Sequence, residues 1–461
     1  YRLQTKPLWE HYGLFPHGGM DTILGKGKKD ISMLMTYVSI DRYLQEAGKL
    51  GFVLPQNLFK TSGAGQGFRR FVLPDKTPFA PLVVEDMVEL NPFEGATNRT
   101  AVAVFLKGKA VSYPVSYQYW KKRGAGRGGA IAFDTPYEEV TTEKITFREW
   151  HGEPVDIRDS TSAWITARPK ALKAIKRIQG TSGYQGRKGI TCPVNGVFWL
   201  EVAGKRPGNA LIVSNVVENA KRAVQPTQAA VEEALVYPLL RGRDVGRWKA
   251  RPALHVLLTQ DPNARAGIPL SVMEKEYPRA LSYLKRFEKV LRSSAIFRRY
   301  FREEDPFYSM FNVGPYTLAR HKVVFREIAS ELTCAVVDTP TGKPVLPDHK
   351  LILCACSTSA EAHYVCSLLN SSPARFFARS YSIETQFSTH LFERIAIPTF
   401  HKSSALHSRL VDLSRRAHEA ADCSDTAEIK KIEDEIDRTA ARMWGLSDDE
   451  LAEIKRSLEE M

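Results

Sequence analysis

Three stretches of this 461-residue sequence hold residue types that could do chemistry. Residues 90–105 read LNPFEGATNRTAVAVF. Asn91 and Pro92 are turn formers between two apolar runs. Phe93 is a large aromatic on that turn, and it has two possible uses. It can plug the local core, or it can offer a stacking platform to an unstacked nucleobase. The second stretch is PLLRGRDVGRWKAR (238–251), where Arg241, Arg243, Arg247, Lys249 and Arg251 all fall at odd positions. In a strand, a period of two puts them on one face. Such a stripe suits a row of phosphates; a solvated strand face is the plain alternative. The third stretch, SYQYWKKRGAGRGGAIAF (116–133), mixes aromatics and glycines with Lys121, Lys122, Arg123 and Arg127. It reads as an exposed basic linker near a domain boundary.

Other candidates are weaker. The glycine clusters at 63–67 and 124–129 do not follow a buried strand directly, as a phosphate-cradling loop should, and read as flexible loops. Six cysteines are scattered with no C-x2-C pair, so no zinc site is expected. Net charge is +13, which favours an anionic partner, nucleic acid first. The excess is uneven. Residues 401–461 carry 10 Lys/Arg against 15 Asp/Glu, a net of −5, so the first 400 residues carry +18. No apolar run approaches the length of a membrane span, and no signal peptide is legible. The reading is a cytoplasmic globular protein.

These residues need elements to hold them. KKDISMLMTYVSIDRYLQEAG (28–48) has apolar residues near helical period and stops at Ala47-Gly48. KLGFVLP (49–55) reads as a strand closed by Pro55, and FRRFVL (68–73) as a short helix exposing Arg69 and Arg70. PLVVEDMVEL (81–90) and TAVAVFLKG (100–108) read as strands flanking the Phe93 turn, the second buried on both faces. Further on come strands GVFWLEV (196–202), KVVFREI (322–328) and LILCACS (351–357), and a helix over 277–293. The last 60 residues are helical, with a capping-box pattern at Ser447 to Glu450.

The order KKDISMLMTYVSIDRYLQEAGKLGFVLPQNLF, FRRFVLP, VVEDMVELNPFEGATNRTAVAVFLKGK resembles the second half of the catalytic domain of gamma-class bacterial DNA adenine-N6 methyltransferases. Those enzymes serve restriction-modification and phage defence and carry a target-recognition domain at the C-terminus. Asn91-Pro92-Phe93 is one proline short of the family's N-P-P-F, the tetrapeptide that holds the target amine. It also comes too late in the order, so the catalytic tetrapeptide carries over to no residue here. The resemblance implies that this tetrapeptide and the glycine cofactor motif lie upstream of Tyr1 or on a partner chain. Lys29 and Asp30 match the start of the helix that borders the cofactor, S-adenosylmethionine. Met35 stands where the family usually has Phe against the cofactor adenine. Phe93 matches the loop aromatic that stacks on the flipped base. PLLRGRDVGRWKAR, FYSMFNVGPYTLARHKVVFRE (307–327) and EAHYVCSLLNSSPARFFARSYS (361–382) are similar to the attached recognition domains, with Leu369-Asn370-Ser371 structural.

The expectation is therefore an α/β chain. Residues 1–110 form the distal part of a Rossmann-like methyltransferase sheet, and 111–155 a basic Gly-rich linker. Residues 156–400 form a mixed α/β target-recognition domain, and 401–461 a helical segment. Double-stranded DNA is the expected partner, contacted by Arg241, Arg243, Arg247, Lys249, Lys121, Lys122 and Arg123. An N-terminal methyltransferase or nuclease half is the expected protein partner. Base flipping at N6-adenine is the expected chemistry, and no metal is expected. The competing expectation is a non-catalytic DNA-specificity module that serves a partner methyltransferase, nuclease or translocase.

Overall fold

The computed structural model describes residues 2–14, 30–61, 63, 65–87, 89–90, 93, 100–123, 131–132, 134–156, 158–218, 222–381 and 387–460. Lys29, Asn91, Pro92 and the glycine run at 124–129 lie outside the described residues. The chain divides into two compact units. Unit 1 comprises Tyr1–Gln179, Phe376–Glu384 and Asp449–Met461; unit 2 comprises Gly180–Arg375 and Thr385–Asp448. Both are mixed α/β.

Unit 1 is built on six strands: β1 (Lys49–Pro55), β2 (Phe79–Asp86), β3 (Thr100–Lys107), β4 (Val115–Lys122), β5 (Ile145–Pro154) and β6 (Trp164–Ala167). They lie in the order β1-β3-β2-β4-β5-β6. Every pairing is antiparallel except β2 with β4. Helices α1 (Arg2–His11), α2 (Ile31–Tyr43), α3 (Asn57–Lys60) and α4 (Pro169–Ile175) accompany the sheet. The expected double burial of β3 is only half met: Ala101, Ala103 and Phe105 are buried, and the residues between them are half-buried.

The linker expected over 111–155 is a correction. It contains β4 and β5, two interior strands of the sheet. Lysines and glycines suggested a linker, but Val115, Tyr117 and Tyr119 recur at period two, and side chains at that spacing share one face of a strand. Tyr117 is fully buried, and Tyr119 stacks on Trp150 of β5 with ring centroids 5.2 Å apart.

Two side chains explain the compactness of the α2–β2 region. The Tyr37 hydroxyl donates to the Phe68 carbonyl at 2.8 Å and accepts from the Phe71 amide at 3.0 Å. It thereby holds Phe71 in a left-handed conformation, φ 49°, that a bulky residue rarely adopts unaided. Arg69, expected to be exposed, is 1% exposed. Its guanidinium donates to the carbonyls of Leu58, Thr61 and Thr161. It neutralises the open end of α3, and the short helix at 68–73 shrinks to a single 3-10 turn, Phe68–Arg70.

Unit 2 holds the remaining strands. They are β7 (Gly186–Lys188), β8 (Trp199–Arg206), β9 (Ala210–Asn215), β10 (Gln228–Glu232), β11 (Val236–Leu240), β12 (Val245–Gly246), β13 (Lys249–Ala250) and β14 (Leu254–Leu257). After these come β15 (Gln260–Asp261), β16 (Ala266–Gly267), β17 (His321–Arg326), β18 (Cys334–Asp338), β19 (Leu346–Pro347) and β20 (Leu351–Cys356). One sheet runs β10-β9-β8-β14-β11-β19 and another β18-β17-β20-β7. GVFWLEV is a strand only from Trp199, because Asn195–Phe198 form a helical turn. The helix expected over 277–293 is broken at Arg286 and Phe287 into Pro278–Lys285 and Glu288–Arg292. Helices α5 (Ser359–Asn370), α6 (Ala405–Asp422) and α7 (Thr426–Met443) pack together behind β17 and β18. Asn370 pins β18 by accepting from the Cys334 amide at 2.8 Å and donating to its carbonyl at 2.9 Å. The helical tail does not stand apart: α6 and α7 belong to unit 2, and Asp449–Met461 to unit 1.

Candidate nucleic-acid interface

β2 ends at Asp86, and the segment that follows carries Phe93. Phe93 is 45% exposed. Phe93 is thus an exposed aromatic of unit 1 and not a fully buried one. Beneath this strand end lies a buried polar cluster that the sequence reading missed. Asp86 is 1% exposed, and its carboxylate accepts from the Tyr117 hydroxyl and, at 3.1 Å, from the Gln56 amide. Lys60, at the end of α3, donates to Thr166 Oγ1 at 2.6 Å and to the Ser380 carbonyl at 3.4 Å. Its ammonium lies 5.6 Å from the centroid of the Tyr117 ring.

Burial and charge oppose each other in this cluster. Burial pulls the Lys60 ammonium down to about 8, while the Asp86 carboxylate works to keep it protonated. Burial and the Asp86 carboxylate together push the Tyr117 phenol well above its ordinary value, so it stays a hydrogen-bond donor. The cluster fixes the end of β2. One signal could have revealed part of it: Gln56 and Lys60 stand four residues apart around a short helix.

The other expected residues fare differently. Asp30 is the N-cap of α2: Oδ1 accepts from the Ser32 amide at 3.0 Å and from the Ser32 hydroxyl at 2.6 Å. Met35 is 54% exposed on the same helix.

The basic stripe is a correction. β11 stops at Leu240, Gly242–Asp244 form a 3-10 turn, and Lys249 sits on a two-residue strand, so no single strand face exists. Arg241 is clamped to Asp244 through Nε at 2.9 Å and Nη2 at 3.0 Å. Arg247 Nη1 donates to Glu433 of α7 at 3.1 Å, and the Trp248 indole donates to the same carboxylate at 2.7 Å. Burial pulls the Arg247 guanidinium below its usual value, with the Arg375 charge acting the same way and Glu433 opposing. Arg251 pairs with Asp422 at 2.8 Å. Of the five, Arg243 alone is both exposed and outside these pairs.

Lys121, Lys122 and Arg123 are likewise not a solvated linker. Lys121 Nζ donates to the Glu460 carbonyl at 3.0 Å, the Lys122 amide donates to Glu89, and Arg123 Nε donates to the Ile145 carbonyl at 2.7 Å. The first two cations lie at the end of an interior strand, half-buried.

No protein-family model matches the chain. It is 28% identical over 153 residues to the type II methyltransferase M.NspV of Nostoc sp. (strain ATCC 29411 / PCC 7524), over 32% of this chain and 30% of that protein. Over those 153 residues the chain is similar to a type II methyltransferase. Its fold is similar to that of the type IIL restriction-modification enzyme MmeI, solved in complex with DNA. The TM-score is 0.54 at 11% identity, over 95% of this chain and 56% of that one. The chain thus spans less than a third of the curated relative and just over half of the solved one.

Proposed function

We propose that this chain supplies DNA recognition and the target-base platform of a site-specific DNA adenine-N6 methyltransferase of the restriction-modification type. Its similarity to a type II methyltransferase supports the class. The observation that carries the reading is Phe93, a large exposed aromatic seven residues beyond Asp86 of the buried polar cluster. Taking an adenine out of the duplex costs a few kcal/mol. Stacking on an aromatic returns about 1–3 kcal/mol, so one exposed Phe offsets much of that cost. The cofactor loop and the amine-holding tetrapeptide that the resemblance implies lie outside these 461 residues, upstream or on a partner chain, and that half binds S-adenosylmethionine as methyl donor.

The test is Phe93→Ala in the complex with that half. Methylation of duplex DNA falls by roughly 10-fold or more, with the thermal midpoint unchanged. Equal activity rejects the platform. A second reading is a non-catalytic DNA-specificity module: the likeness to the type II methyltransferase covers only 32% of this chain. A neighbouring or upstream coding sequence with a glycine cofactor loop and N-P-P-[YFW] decides for the enzyme.

A further inference from the structure

Unit 2 carries a cleft of about 470 Å³ that none of the expected DNA-contact residues lines. One wall is the edge strand β7 with the residues before it, Tyr184 and Gln185. Another is the 3-10 turn Pro315–Leu318, which bears Tyr316. The β15–β16 hairpin contributes Arg265 from its tip, and the start of α5 contributes Glu361.

The functional groups divide sharply. Glu361 is already engaged: Oε1 accepts from the Tyr184 hydroxyl at 3.2 Å, and Oε2 from the Ser357 amide at 2.7 Å. Tyr184 in turn accepts from the Phe400 amide at 3.1 Å. The cleft therefore offers cations and donors to a ligand. Arg187 is exposed yet held in place. Its guanidinium lies over the Tyr316 ring, 5.6 Å from the centroid, and Nη2 donates to Gln185 Oε1 at 2.7 Å. Both Arg187 and Arg265 bear on the Tyr316 phenol, opposing the rise that burial causes. The Tyr316 turn is fixed from below, because the buried Lys322 ammonium donates to the Thr317 carbonyl at 2.9 Å and to the Val345 carbonyl at 2.7 Å.

A phosphate can be met by any flexible cation. A planar guanidinium held against a ring by strand, amide and aromatic suits a planar pair of acceptors instead. In duplex DNA that pair is the O6/N7 edge of guanine in the major groove. We propose that this cleft reads a guanine of the recognition sequence through Arg187, held flat by Tyr316 and Gln185. The assignment rests on the DNA-recognition reading above.

The test is selection from a randomised duplex library with the full chain and with Arg187→Ala and Arg187→Lys. The unaltered chain enriches a site with a fixed guanine. Arg187→Ala relaxes that position alone and weakens binding to the best site roughly 10-fold. Arg187→Lys keeps the charge but does not restore the guanine preference, because the fork is lost. A uniform loss across sequences with a shallower salt dependence makes Arg187 a phosphate contact and overturns the proposal. Selective binding that ignores Arg187 overturns the cleft and leaves the function standing. No duplex binding by the unaltered chain overturns both.

Discussion

Each unit seals a lysine from water, and the two are held in opposite ways. Lys60 in unit 1 has a hydroxyl, a carbonyl and the Asp86 charge close by, and its ammonium is drawn down to about 8. Lys322 in unit 2 has two backbone carbonyls and no counter-charge, and burial alone draws it down to about 7. In unit 1 the buried charges answer one another and fix the strand end that leads to Phe93. In unit 2 the lysine is a bolt between two backbone segments, one of which carries Tyr316. The same contrast holds at the surface. Seven of the ten exposed large apolar side chains among the described residues, Phe93 included, lie in unit 1. Many of the arginines of unit 2 are instead engaged in ion pairs within the unit.

The comparison breaks most easily at Asp86. Asp86→Ala leaves the Tyr117 hydroxyl and the Gln56 amide without an acceptor and Lys60 without its charge partner. It costs about 3 kcal/mol in urea unfolding. Asp86→Asn, which keeps an acceptor, costs less. Equal costs would mean that the charge, and not the acceptor, carries the interaction.

Arg247→Ala comes next. It leaves Glu433 half-buried with only the Trp248 indole as partner. The stability loss is about 2 kcal/mol, while duplex affinity stays within twofold. A fall in affinity at unchanged stability would restore the strand-face reading of that segment.

The two lysines separate by pH. The folded ammonium of Lys322 titrates near 7, and the unfolded one near its ordinary 10.5. Between those values the unfolded chain binds more protons, so stability rises with pH. Lys60 contributes in the same direction, from about 8 upward. Unfolding measured from pH 6 to 10 should therefore steepen in the alkaline direction. Lys322→Met should remove the part that begins near 7, and Lys60→Met the part that begins near 8. Identical curves for the two variants would erase the distinction between them.

The smallest effect belongs to Arg243. As an exposed arginine it offers at most one phosphate contact, so Arg243→Gln lowers the slope of log affinity against log salt by about one. An unchanged slope places it off the DNA.

Much of the local architecture was legible before any coordinates. The apolar spacing before Ala47-Gly48 predicts a helix over 28–48, and Asp30 starts it as its cap. The alternation around Val115, Tyr117 and Tyr119 was equally visible, yet lysines and glycines masked it as a linker. Phe93 stood out by type and by its place between two apolar runs, and it is exposed. The Lys60–Asp86 cluster was not legible, because Lys60 meets partners 106 and 320 residues away. Arg187 was passed over in a glycine-flanked stretch without evident pattern.

The sequence by itself determined what short-range spacing can encode: strand and helix periods, caps, turns, and which segments are apolar enough to be buried. It also carried the resemblance to methyltransferases. Only the tertiary structure decided which cations face water. Arg247 and Glu433 are 186 residues apart in the chain and within hydrogen-bond reach in the fold. The sign of a side chain is local, but whether its charge is free depends on partners that chain closure brings from far away. The five cations at odd positions therefore never become one stripe, while Arg187, Tyr316 and Arg265, from three separate elements, meet in a single cleft.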